Sequence, residues 1–200
     1  MLHHLQLLDT RLLLLANCHH TPFWDAVLWW ASQTFTWVPF YAALLAVLVG
    51  SFGWRAWVLV PLIAVLILAS DQLASGLLKP WAHRLRPSHE PGLAGQLHLL
   101  HGYRGGPYGF VSSHAGNVFA LAFYLLFTAR HRLPWLAGVL FPWALLVAYS
   151  RVYLGVHYPS DVLAPVLLSI PLAYGVSRLY AWGAARWLPV AATTPILPTA

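Results

Sequence analysis

Two histidines, an aspartate and a set of basic and hydroxyl side chains stand out of an otherwise apolar chain. They fall in three pieces: "KPWAHRLRP" (Lys79 to Pro87), "GFVSSHAGN" (Gly109 to Asn117) and "SRVYLGVHYPSD" (Ser150 to Asp161). Lys79, Arg86 and Arg151 supply three cations, and the planar fork of arginine matches the oxygens of a tetrahedral oxyanion. Ser112 and Ser113, read as the start of a helix, add hydroxyls and unpaired backbone N–H groups where an anion is favoured. His114 and His157 allow nucleophilic attack by one imidazole and proton transfer by the other. Pro159 suits a first helical turn, which brings Asp161 close to His157. An aspartate hydrogen-bonded to one ring nitrogen fixes the tautomer and leaves the other nitrogen free to attack, the division of labour that phosphoryl transfer needs.

These residues must be carried to one place by helices. The 200-residue chain is 60% hydrophobic and 8% charged and contains eleven Trp; its mean hydropathy is +0.66. Such a composition describes an integral membrane protein, not a soluble domain. The expected fold class is all-α, a polytopic membrane helical bundle with five firm transmembrane helices at 37–52, 56–78, 115–129, 134–149 and 162–182. Pro80 is expected to break the second of these. The N-terminal "LQLLDTRLLLLAN" is short for a span and carries Asp9 and Arg11 in its middle. It reads as an interfacial or obliquely inserted helix, with a sixth span as the alternative. The Trp-rich "TPFWDAVLWWAS" reads as an interfacial lead-in. A cleaved signal peptide is not expected of the N-terminal segment, because a basic n-region and a small-residue cleavage site are both missing. One domain is expected over 1–187, with a catalytic core at about 37–182 and a disordered Pro/Thr-rich tail at 188–200.

Charge placement gives an orientation. Arg55, Arg130, Arg132, Arg178 and Arg186 fall at one set of helix ends, which the positive-inside rule assigns to the cytoplasm. Lys79, Arg84, Arg86, Arg104 and Arg151 then face outward against that rule. Charge at bilayer depth costs about 3 kcal/mol or more, so residues held there serve a site. With a net charge of +6, an anionic membrane ligand explains them better than nucleic acid, whose soluble readers are basic over a broad face. Cys18 is the single cysteine, so no internal disulfide forms.

The three pieces together, Lys79 with Arg86-Pro87, Ser112-x-His114, and Ser150-Arg151 with His157 and Asp161, resemble the three-part signature of the type 2 phosphatidic acid phosphatase superfamily. The resemblance implies a membrane lipid phosphatase that needs no metal or other cofactor. It implies His157 as the nucleophile that forms a phosphohistidine and Asp161 as the residue that orients it. His114 would protonate the leaving oxygen and then activate water. Lys79, Arg86, Ser112, Ser113 and Arg151 would bind the phosphoryl group. Val111 and Ser113 replace the usual Pro and Gly of the second piece, and the Ser113 N–H can still donate.

The implied partners are a lipid phosphate substrate and the bilayer, with no obligate protein partner evident. The implied location is a bacterial inner membrane, with the site on the periplasmic or extracellular side. Undecaprenyl diphosphate is the favoured substrate. Lipid A follows, because the compact chain and the "GYRGG" loop are similar to bacterial lipid A phosphatases; phosphatidic acid and phosphatidylglycerol phosphate come next. An anion transporter would place its charges near the bilayer midplane and not at helix ends. A vanadium-type oxidase would share the anion site, but in a soluble chain. Tyr103 and Arg104 are either a plain turn or a lid that touches the substrate. Asp71, two turns before Lys79 with Ser75 between them on one face, is read as a buried structural hydrogen bond, with a supporting role behind Lys79 as the alternative. His83, His89, His98 and His101 are read as loop residues, and His98-x-x-His101 or His89-Glu90 as weak metal candidates.

Overall fold

The computed structural model describes residues 2–187; the segment 188–200, expected to be a disordered tail, lies outside the described residues. The described residues form helices α1 (Leu2–Cys18), α2 (Pro22–Ser32), α3 (Val38–Phe52), α4 (Ala56–Asp71), α5 (Lys79–Ala82), α6 (Ser113–Ala129), α7 (Leu136–Tyr153) and α8 (Pro159–Trp187). A π-helical segment, Gln72–Leu78, joins α4 to α5, and short 3₁₀ turns fill much of the loop before α6. The described residues are therefore all-helical, and the protein is a membrane protein. The run Thr34–Ala82, which reverses at Gly53 (φ 52°), together with Leu136–Tyr153 and Pro159–Arg186, is long and apolar enough to cross a bilayer. Ser113–Ala129 is apolar but shorter.

α6 is the axis of the bundle, with α4, α7 and α8 around it. Ala115, Ala120 and Ala122 are fully buried along it. A methyl added at Gly116 would lie 3.2 Å from Ser70 Oγ on α4 and 3.4 Å from Pro165 on α8. Small residues let membrane helices approach closely where lipid offers no hydrophobic drive between them. Around this axis Leu145, Leu163, Leu167 and Leu179 remain exposed, as side chains facing lipid would be. Exposed Trp24, Trp30 and Trp81 ring one end, and exposed Trp54, Trp57 and Trp135 ring the other, in the manner of interfacial belts.

The turn at 53–55 and the α6–α7 turn meet at this second end, where Arg132 donates to Ser51 O and stacks over Phe52. Arg55 and Arg132 therefore share one end, as their charge suggested, and the three motif pieces share the opposite end. α1 lies along the motif end: Asp9 contacts Arg84 and Ser160, and about 12 Å further along Asn17 donates to Tyr153 O and His98 O. Two boundaries differ from expectation. Pro80 does not break its helix, because the preceding turn widens to π bonding, with Lys79 N–H donating to Ala74 O, and the helix ends at left-handed His83 (φ 48°). Arg151 is not in a connecting loop but on the last turn of α7, which continues to Tyr153.

Candidate active site

Four backbone segments deliver the motif residues: α5, which opens with Lys79, and the loop after it, the start of α6, the last turn of α7 and the loop that leads into the start of α8. Ser112 precedes the first turn of α6, its N–H donating to Asp161 O at 2.8 Å, so the second and third pieces are tied through the backbone. On α4–α5, Lys79 Nζ donates to Ser113 Oγ at 2.6 Å and to Ser75 Oγ at 3.0 Å, and Ser75 Oγ donates to Asp71 Oδ1 at 3.4 Å. Asp71, Ser75 and Lys79 thus form a row that ends on Ser113, the arrangement of the alternative reading of Asp71 as a support behind Lys79.

His157 is 1% exposed and sits between a cation and an anion. Arg86 Nη1 lies 3.1 Å from His157 Nε2. A guanidinium can only donate, so Nε2 presents its lone pair and the proton of the neutral ring sits on Nδ1. Burial, then Arg86 and Arg151, then Lys79 and His114 push the His157 pKa well below 6.5, which keeps that ring neutral. Nδ1 faces Asp161 Oδ2 at 3.6 Å, longer than a hydrogen bond, and has no other partner among the described residues. The hydrogen bond expected between Asp161 and His157 is therefore open in this structure. Catalytic contacts often close only around substrate.

The Asp161 carboxylate, with no exposed surface, is held elsewhere. Arg84 Nη1 donates to Oδ1 at 2.8 Å and the Tyr158 N–H to Oδ2 at 3.0 Å. Arg84 Nη2 also donates to Asp9 Oδ2 at 2.6 Å, its guanidinium stacks on Tyr158 at 4.2 Å, and Asp9 accepts from the Ser160 N–H and hydroxyl. Asp9 and Arg84 were not among the site residues expected from the sequence. The signal was available, because a carboxylate in an apolar helix requires a partner.

Arg151 is 2% exposed. It donates to the Ser32 hydroxyl, and to Tyr103 OH at 3.1 Å. Tyr103 therefore joins the site. Arg104 does not: it is exposed, and among the described residues only its backbone carbonyl is engaged, by Ser88 Oγ at 2.7 Å. Ser112 is fully buried, with a hydroxyl that has no partner among the described residues. Two glycines permit the packing: a methyl at Gly109 would lie 2.9 Å from Asp161 Oδ2, and one at Gly105 (φ 67°) 2.9 Å from Arg86 Nη1.

A cavity of about 730 Å³ opens from this cluster. Arg86, Ser113, His114, Arg151 and His157 form its head, and apolar side chains of α3, α4, α6 and α7 form its shaft. The head can bind a tetrahedral anion beside a neutral imidazole, and the shaft can take hydrocarbon. A possible metal-ligand group lies apart from it: His20, Asp25 and His98 offer donor atoms within 4.8 Å of one another. His98 Nε2 is 3.0 Å from Asp25 Oδ2 and its ring stacks on His20, so His98 pairs with α2 and not with His101.

Comparison with known proteins agrees with this geometry. A model of the PAP2 superfamily matches residues 60–184. A lipid A 4'-phosphatase of Bacteroides thetaiotaomicron is 40% identical over 163 residues, 80% of this chain and 72% of that protein. A lipid A 4'-phosphatase of Porphyromonas gingivalis is 33% identical over 194 residues, 96% of this chain and 80% of that protein. The crystal structure of a transmembrane PAP2 type phosphatidylglycerolphosphate phosphatase from Bacillus subtilis has the same fold. It matches with a TM-score of 0.64 at 21% identity, covering 92% of this chain and 89% of that one.

The Arg84 bridge generates a stability prediction. Arg84→Ala strands two buried carboxylates, Asp9 and Asp161, and is expected to cost on the order of 3 kcal/mol. Asp9→Asn keeps an acceptor for Ser160 and is expected to cost less. Thermal unfolding in detergent measures both, and equal Tm values for Arg84→Ala and wild type would show that the bridge carries no stability.

Proposed function

This chain belongs to the PAP2 superfamily, and on that premise we propose that it removes phosphate from a lipid A-type phosphoglycolipid at the outer leaflet, through a phosphohistidine intermediate. One observation carries the mechanism. In a buried, cation-lined head, the unprotonated Nε2 of His157 accepts from Arg86 Nη1, a donor that a phosphate oxygen can draw away, and largely apolar walls continue below it.

The lipid phosphate group enters the head, where Lys79, Arg86, Arg151 and the Ser113 hydroxyl and N–H neutralise its oxygens. Ser112 closes the start of α6 behind them. As Arg86 turns from Nε2 to a phosphate oxygen, the freed lone pair of His157 Nε2 attacks phosphorus, and as the imidazole gains positive charge its Nδ1–H turns to Asp161. His114, across the cavity, gives a proton to the departing sugar oxygen. It then takes one from water, which attacks the phosphohistidine and releases inorganic phosphate. The charge that builds on the equatorial oxygens meets donors already in place, the arrangement that most lowers a barrier. No step calls for a metal ion.

Undecaprenyl diphosphate stood first as the substrate read from the sequence, with lipid A as an alternative. The two relatives named lipid A 4'-phosphatase, which align with most of this chain, favour the alternative. The site is assigned to the periplasmic face of a bacterial inner membrane, because Arg55 and Arg132 share the opposite end.

His157→Ala and His114→Ala are each expected to lower turnover by at least ~100-fold with the fold retained, as neither role has a nearby substitute. Phosphate release from purified lipid A in detergent measures this, and near wild-type rates for either variant would sink the mechanism. Asp161→Asn is expected to be milder than His157→Ala. Activity is expected to survive EDTA and to fall in vanadate, which mimics the five-coordinate phosphorus that the cations clamp.

Sidedness is tested with single cysteines in a Cys18→Ser background. Gly95→Cys is expected to react with an impermeant thiol reagent on spheroplasts, and His131→Cys only after the membrane is opened. The reverse pattern would move the site to the cytoplasmic face.

A further inference from the structure

Among the described residues, the cavity wall carries one carboxylate, Asp71. Val60, Ala64, Ile67 and Asp71 line the cavity from α4 at three- and four-residue intervals, so Asp71 belongs to the helical face turned towards it. Ser75 and Lys79 continue that face to Ser113 in the head. Asp71 Oδ1 takes a long hydrogen bond from Ser75 Oγ at 3.4 Å, while Oδ2 has no hydrogen-bond partner among the described residues, and the side chain is only half-buried. A carboxyl group at membrane depth is costly and marks a function. Support of Lys79 through Ser75 employs Oδ1 alone. Gln33, Thr34 and Tyr41 also line the cavity, but each can both donate and accept, so they do not choose between substrate groups. An ionised carboxylate only accepts.

We infer that Asp71 is a specificity-determining residue, whose free oxygen accepts a hydrogen bond from a hydroxyl or amide N–H on the substrate unit that carries the phosphate. This rests on the phosphatase reading and narrows its substrate class. Ser75 touches Ser113 at 2.9 Å, and Asp71 lies one turn, roughly 5 Å, further along α4. Its oxygen thus sits below the phosphate by about the width of a sugar ring. Lys79, joined to Asp71 through Ser75, supplies the counter-charge that an ionised carboxylate needs. An acylated amino sugar phosphate brings hydroxyl and amide N–H donors to that level. A diacylglycerol phosphate brings ester carbonyls, and a polyprenyl diphosphate brings hydrocarbon or a second phosphate that the carboxylate repels. These lipids displace water from Oδ2 and offer it no donor in return. A site built to hydrogen-bond a substrate group rejects an analogue that lacks it, because the site's own polar atom is left unpaired. Asp71 therefore favours lipid phosphates that carry a donor beside the phosphorylated carbon.

The test uses purified full-length wild type, Asp71→Leu and Ser75→Ala in one detergent. Two quantities are measured: kcat/KM for phosphate release from lipid A, and inhibition by vanadate, which fills the head and carries no lipid. Asp71→Leu is expected to lower kcat/KM for lipid A at least ~10-fold and to weaken vanadate inhibition by less than about 3-fold. Ser75→Ala cuts the row to Lys79 but leaves Oδ2 in place, so it is expected to change both by the same factor. Parallel losses in Asp71→Leu, or no loss on lipid A, would overturn the proposal and leave Asp71 as a support of Lys79. A second measurement needs wild type alone. Ceramide 1-phosphate, with a hydroxyl and an amide N–H near its phosphate, and phosphatidic acid, with neither, are compared as competitors of lipid A hydrolysis. The ceramide lipid is expected to inhibit at least ~10-fold more tightly; equal inhibition or the reverse order would overturn the specificity while the phosphatase reading stands. No phosphate release from lipid A by wild type would overturn that reading instead.

Discussion

The bridge that Arg84 makes between Asp9 and Asp161 is the interaction on which the rest of the site depends. Asp161 has no exposed surface, and a carboxylate so placed stays ionised only beside a cation and several donors. Arg84 and the Tyr158 N–H supply these. The same guanidinium draws Asp9 and with it α1, whose other end is fixed where Asn17 meets Tyr153 and His98. One side chain thereby couples the loop after α5, the start of α8 and the N-terminal helix. α1 does not need to cross the membrane to matter: it closes the motif end and supplies the second carboxylate.

With Asp161 committed to Arg84, the cations around His157 have no carboxylate in direct contact among the described residues; Asp71 reaches Lys79 only through Ser75. Arg86 faces the imidazole, Arg151 is held by the neutral hydroxyls of Ser32 and Tyr103, and Lys79 by those of Ser75 and Ser113. Neutral partners fix geometry without cancelling charge, so the positive field remains for an incoming phosphate. That field also keeps His157 unprotonated, which preserves its lone pair. Anion binding and nucleophile activation therefore come from one arrangement.

The motif end was legible in the sequence because its chemistry is concentrated in short strings. Lys79 and Arg86, Ser112 to His114, and Arg151 to Asp161 each carry fixed spacings, and the helix starts follow from Pro159 and from the shift from polar to apolar residues at Ser112. Contacts between distant elements were not legible. Nothing local in "WWASQ" marks Ser32 as a partner of Arg151, 119 residues away. Asp9 was visible as an anomaly, but its partner was not, because the path of α1 across the motif end is a tertiary fact. The boundary of α7 failed for a related reason. Arg151 and Tyr153 look like loop residues by hydropathy, yet both are buried and bonded inside the protein, where helix can continue.

The outcome at Pro80 shows how a local rule yields to a functional constraint. A proline inside a helix removes one N–H and sets its ring against the carbonyl four residues earlier, and a break is the usual result. Here a break would detach Lys79 from Ser75 and Asp71, the row that holds its ammonium against Ser113. The segment Gln72–Leu78 widens to π bonding instead, and Lys79 keeps its place through a backbone bond to Ala74. Isolated π turns recur at functional sites because they shift the following side chains without ending the helix. Widening the turn satisfies the backbone where lipid would not, and it delivers the lysine to the start of α6. The segment's departure from α-helical form is thus a consequence of where the phosphate must sit.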